Sequence, residues 1–87
     1  DEALIAFEAA IRLNPTYFEA YHATASVYTV RRQWAQALAL WDQFLARQPQ
    51  HGRAHFERAV AKRAYGDSTG FLEDLQRACA LGHEAAC

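Results

Sequence analysis

Pro15 recurs as Pro49, and the residues ahead of each recur with it: Ala3-Leu4, Phe7 and Ala10 become Ala37-Leu38, Trp41 and Phe44. The interval between the two prolines is 34 residues, the length of one helix–turn–helix repeat. One such unit cannot bury its apolar side alone. Units must stack on their neighbours, and the stack offers an extended surface rather than an enclosed reaction centre. The period therefore bounds the fold and the class of function together.

Within the period, apolar residues fall at helical spacing. Leu4, Phe7 and Ala10-Ile11 form an i, i+3, i+7 stripe over residues 2–13. Asn14-Pro15-Thr16 ends that helix, because the residue before a proline is pushed out of the α region. Thr16 with Glu19 has the spacing of a capping box for a second helix over 17–30, whose buried face is Ala20, Tyr21, Thr24, Ala25 and Tyr28. Arg31-Arg32-Gln33 must turn without a glycine, so one of the three is expected in the left-handed region. A third helix over 34–47 carries Trp34, Ala37-Leu38, Trp41 and Phe44-Leu45 and stops at Pro49. A fourth, over 52–65, places Ala54, His55, Arg58-Ala59 and Lys62 on the face matching the second helix, and that face is more polar than its counterpart. Gly66 frees the next turn, and Asp67 or Ser68 caps a fifth helix over 69–81 that buries Phe71-Leu72, Leu75 and Ala78. Glu73-Asp74 reads as a solvated pair. Residues 83–87 look like the first turn of a sixth helix.

Composition narrows the function classes. The net charge is −1, so the chain lacks the basic footprint that nucleic acid requires. No apolar run reaches the length of a membrane span. The helical pattern already runs at Asp1-Glu2-Ala3-Leu4, which makes a piece of a longer protein the expectation.

The chain resembles tetratricopeptide-repeat proteins. The resemblance rests on Ala3, Phe7, Ala10 and Pro15 as one second helix, and on Tyr21, Thr24-Ala25, Tyr28, Ala37, Trp41, Phe44 and Pro49 as the following unit. It implies an all-α fold of antiparallel helix–turn–helix repeats stacked as a right-handed α-solenoid, with about five helices and a C-terminal stub. A single domain, 1–87, then divides into the second helix of a truncated repeat (1–15), two full repeats (16–49 and 50–83) and the start of a further helix (84–87). The chain departs from the pattern where Phe44 replaces a small residue, which implies wider helix spacing or a shifted partner. It departs again where His55, Lys62 and His83 replace two aromatics and a proline. The segment from Ala78-Cys79 to Ala86-Cys87 resembles the junction of Sel1-like repeats, and that likeness implies a Cys79–Cys87 disulfide. The alternative is two small buried thiols. A disulfide would favour a periplasmic or cell-envelope location, and free thiols a cytoplasmic one.

The resemblance also implies a function: a protein-interaction scaffold that holds a peptide or helix of a partner protein in its concave groove. A self-assembling element, giving a homo-oligomer, is the alternative, and a regulatory domain of a larger protein a third. By analogy with the family, the groove positions are Glu19, His22, Ser26, Thr29 and Val30 in the first full repeat, and Arg53, Phe56, Val60, Arg63 and Ala64 in the second. Arg53 and Arg63 have the fork that matches a carboxylate, and Phe56 would anchor the groove centre. Tyr21, Ala25, Tyr28 and Trp41 are expected to face neighbouring helices, out of a ligand's reach. The lysine and asparagines of the family's carboxylate clamp are missing, since His22, Ser26, Phe56 and Val60 stand there. No catalytic constellation is expected. Asp67-Ser68-Thr69-Gly70 sits in a helix–helix turn, where such residues serve as caps. His51 and His55 have an i, i+4 metal-ligand spacing, but Gly52-Arg53-Ala54 between them supplies no further ligand. Neither a metal nor a cofactor is expected.

Overall fold

The computed structural model describes residues 2–87. Asp1, which the helical pattern and the first repeat boundary include, lies outside the described residues. Five α-helices follow one another: α1 (Glu2–Leu13), α2 (Phe18–Val30), α3 (Trp34–Arg47), α4 (Gly52–Tyr65) and α5 (Ser68–Ala80), then a 3-10 turn at Glu84–Ala86. The described residues contain no strand. Each helix packs chiefly on the next in the chain, as short connections dictate. The fold is all-α, a stack of antiparallel helical hairpins.

Three helix ends share one geometry. After α2, Arg32 N–H donates to the Thr29 carbonyl and Gln33 N–H to Tyr28. After α4, Gly66 and Asp67 make the same pair of bonds to Arg63 and Lys62, and after α5, Gly82 and His83 make it to Cys79 and Ala78. This double closure needs one residue in the left-handed region. Gly66 and Gly82 supply it after α4 and α5, at φ 102° and 94°. In the glycine-free turn Arg32 takes it, at φ 59°, which costs an L-residue about 1–2 kcal/mol.

The capping box expected at Thr16 does not form. Thr16 hydroxyl instead donates to Asn14 Oδ1 at 3.1 Å, and the residue at the N-cap of α2 is Tyr17, which makes no side-chain cap. Asp67 does cap α5, accepting from Gly70 N–H at 2.9 Å. The C-terminal segment also differs from expectation, since it forms a 3-10 turn rather than the start of an α-helix.

The core runs along the junction of α1 to α4. Tyr21, Trp41, Phe44 and Leu45 are its largest buried members, with Ala20, Ala25, Ala37, Ala54 and Ala61 letting helices approach closely. One hydrogen bond repeats with the period. Tyr21 hydroxyl donates to the Pro15 carbonyl at 2.9 Å, and His55 Nε2–H meets the Pro49 carbonyl at the same distance. His55 has replaced an aromatic while keeping its polar contact.

Asp74 corrects the reading of a solvated Glu73-Asp74 pair. It is buried, at 4% exposure, and accepts from Arg58 Nε and Nη2, both at 2.8 Å. Lys62 Nζ lies 3.0 Å away and His55 Nδ1 3.4 Å. Arg58 also reaches Asp42 at 2.8 Å. These contacts draw Asp74 inward, so α5 buries Gly70, Asp74 and Ala78, and Leu72, expected inside, is exposed.

Cys79 and Cys87 are joined by a disulfide, with Cα atoms 5.0 Å apart. The bond ties the 3-10 turn back to the end of α5, and His83 in the connection packs against Phe56, ring centroids 4.8 Å apart. Closing so short a loop contributes at most about 2–3 kcal/mol. Urea unfolding with and without reductant should show a loss within that bound, and a Cys79→Ser/Cys87→Ser variant should match the reduced protein. Two free thiols on unreduced, unfolded protein would contradict the bond.

Candidate functional site

The first helices of the two hairpins, α2 and α4, flank a groove floored by α3. His22, Ala25, Ser26 and Thr29 form the α2 wall. Glu57, Val60, Ala61 and Ala64 form the α4 wall, and Trp34 and Trp41 the floor. The space between them is about 150 Å³, a volume that takes a benzene-sized group. His22 Nε2 and Glu57 Oε2 approach to 3.2 Å across the groove.

Helical geometry explains the walls. His22, Ala25, Ser26 and Thr29 are spaced i, i+3, i+4, i+7, and so share one face of α2. Glu57, Val60, Ala61 and Ala64 share one face of α4 by the same spacing. Shifting the α2 wall by one period gives residues 56, 59, 60 and 63, a face of α4 that shares only Val60 with this wall. A groove between two repeats uses the trailing face of one first helix and the leading face of the next. The period carries a wall to the same wall of the following groove, not across the groove it belongs to.

The residues named from the repeat therefore divide. His22, Ser26, Thr29 and Val60 line this groove with Ala64. Glu19, Arg53, Phe56 and Arg63 do not. Glu19 is exposed on α2. Phe56 is half-buried against His83 on the trailing side of α4. The Arg53 guanidinium lies 4.9 Å from the centre of the Phe18 ring, and that of Arg63 lies 5.5 Å from Phe71. Each is engaged by an aromatic face of its own chain. Val30 is exposed beside Val27 on the leading face of α2, away from this groove. Ala25 and Trp41, both expected to be out of reach, contribute to the wall and the floor. Trp34 was expected only as part of the apolar stripe of the third helix, and Glu57 was not singled out by the sequence. The signal for Glu57 was present, since it lies one turn before Ala61 on the face opposite Ser26.

Beside the groove, His22 belongs to a set of stacked rings. Phe18 sits between His22, at 5.9 Å, and His51, at 4.7 Å. His51 Nδ1 accepts from Ala54 N–H at 3.1 Å and so caps α4. Burial pushes the His51 pKa down, against its backbone hydrogen bond, and the charges of Arg53, His55 and His83 push the same way as burial. The depression favours the neutral ring, and the bond accepted from Ala54 places the free lone pair at Nδ1. Among the described residues no cluster of His, Cys, Asp and Glu could hold a metal ion, and no helix is long and apolar enough to cross a membrane.

Stacked helical hairpins with a groove between first helices define a repeat scaffold. Residues 6–39 match the family model of the tetratricopeptide repeat. A structure of MamA 41-end from Desulfovibrio magneticus RS-1 is similar to it, with a TM-score of 0.74 and 23% identity over 93% of this chain. The structure of a MamA RS-1 ArsTM double mutant is similar with the same score, identity and coverage. The chain spans 46% of the length of either MamA chain. No curated protein sequence matches it significantly.

Proposed function

We propose that the chain holds a segment of a partner protein in the groove between α2 and α4. The observation that carries this reading is the groove itself. Two first helices supply its walls, and two indole side chains lie at its floor beneath small residues, Ala25, Ala61 and Ala64. Indole groups are enriched where proteins anchor partners. The walls belong to helices fixed by the core, so the scaffold loses little conformational freedom on binding.

A photo-crosslinking amino acid placed at Ser26 or Thr29 should give discrete partner adducts, and one placed on α3 at Gln36 or Ala39 should not. Ser26→Arg should then fill the groove and weaken capture at least about tenfold, roughly 1.4 kcal/mol, with helicity unchanged. Adducts arising only from the α3 positions would turn the reading around.

A further inference from the structure

The groove has a charge and a lining that together specify what one residue of the partner must be. Resting on the groove reading above, we infer that the pocket over Trp34 and Trp41 takes a cationic side chain, a lysine or arginine, whose charged end meets Glu57. Four cations stand on α4, and each is directed elsewhere. Arg58 and Lys62 are bound to Asp74, Arg53 lies over Phe18, and Arg63 lies over Phe71. Glu57 is the one acidic side chain among the lining residues. Its Oε2 faces His22 at 3.2 Å, and its Oε1 has no partner among the described residues. A carboxylate accepts several hydrogen bonds, so Glu57 has capacity left for a donor from outside.

The floor fits the same occupant. Trp41 is 3% exposed, so Trp34, which is half-buried, presents most of the aromatic surface, and indole is the aromatic face that attracts cations most strongly. Lysine and arginine bury their methylene stems on apolar surface while the charged head reaches a polar partner. Val60, Ala61 and Ala64 supply apolar wall for a stem, and Glu57 with Ser26 supplies the polar end. An acidic partner side chain would meet Glu57 as a like charge, which disfavours it.

Trp34 and Trp41 are the two tryptophans of the chain, so their indole N–H signals report this pocket directly. The test titrates the folded protein with the N-acetyl amides of lysine, arginine, norleucine and glutamate, followed by those two signals. Lysine and arginine amides should give saturable shifts at millimolar concentration. Norleucine amide, which keeps the stem and lacks the charge, should bind at least fivefold more weakly, and glutamate amide should give no shift. Glu57→Gln should reduce lysine-amide binding at least fivefold while leaving the helical signal unchanged. Norleucine binding as well as lysine, or a Glu57→Gln variant binding lysine as the parent does, overturns the cationic assignment and leaves the groove reading standing. Silence from every amide overturns the assignment too, and partner capture that still responds to Ser26→Arg shows that the groove reading has survived it.

Discussion

Asp74→Ala should cost about 3 kcal/mol, the low end of the range for removing one partner of a buried ion pair. The carboxylate is buried while two cations converge on it. Removing it leaves Arg58 and Lys62 dehydrated without their counter-charge. The value sits at the low end because Arg58 keeps its bond to Asp42 and Lys62 is nearly a quarter exposed. Replacing the whole group should behave differently. One period earlier, Thr24, Tyr28 and Leu40 stand where Arg58, Lys62 and Asp74 stand here. The triple variant Arg58→Thr/Lys62→Tyr/Asp74→Leu should be neutral or more stable, since well-packed apolar groups often equal or exceed a buried ion pair. Burial pushes the Asp74 carboxyl up, but the hydrogen bonds and charges of Arg58 and Lys62 outweigh it and hold the pKa below 3.8. Its contribution is therefore complete above the unfolded-state value and disappears as pH falls through the lower folded-state value. Urea unfolding at pH 7 and at pH 3 should show the parent losing more stability on acidification than the triple variant does. Equal acid sensitivity, or an Asp74→Ala loss below about 1 kcal/mol, would show that the network contributes little.

That network also marks where the sequence stopped being legible. The helices followed from apolar spacing and from the breaks at Pro15, Pro49 and Gly66, because these are local effects. The polar face of α4 was visible in His55, Arg58 and Lys62, but its partner was not. Asp74 beside Glu73 has the look of a solvated pair, and only its place one period after Leu40 reveals a core position. The groove was half legible for a related reason. The period identifies equivalent positions, and equivalent positions line successive grooves. Finding the second wall of one groove needs the packing of α2 beside α4, which brings Glu57 opposite His22. The stacking of His51 on Phe18 was not legible either, since Phe18 and His51 meet only once the hairpins pack.

Phe44→Ala should be the most damaging apolar truncation, at about 4–5 kcal/mol, near the top of the range for a buried phenylalanine. The substitution restores the small residue that stands one period earlier, at Ala10. Pattern alone would therefore predict a gain. The structure predicts a loss, because the space around Phe44 is built for a ring. Phe44 is 1% exposed and meets Tyr21 and His51 edge-on at 5.0 Å each, Phe18 at 5.6 Å and Trp41 at 6.2 Å. These neighbours cannot collapse into the void. Tyr21 is tied to Pro15 and His51 to the first turn of α4. One period on, the equivalents of Phe18 and Phe44 are Gly52 and Ala78. There the backbone itself closes the gap: a Cβ on Gly52 would lie 3.4 Å from the Ala78 carbonyl oxygen and 3.3 Å from Leu81 Cβ. The two junctions are thus filled in opposite ways, large against large and small against small, and one member cannot be changed alone. Phe44→Leu, which keeps most of the volume, should cost about 1–1.5 kcal/mol. Urea unfolding followed by tryptophan fluorescence and near-ultraviolet dichroism measures both variants. An alanine variant within about 1 kcal/mol of the parent would mean that α2 and α3 close up freely, and that the aromatic cage does not set their separation.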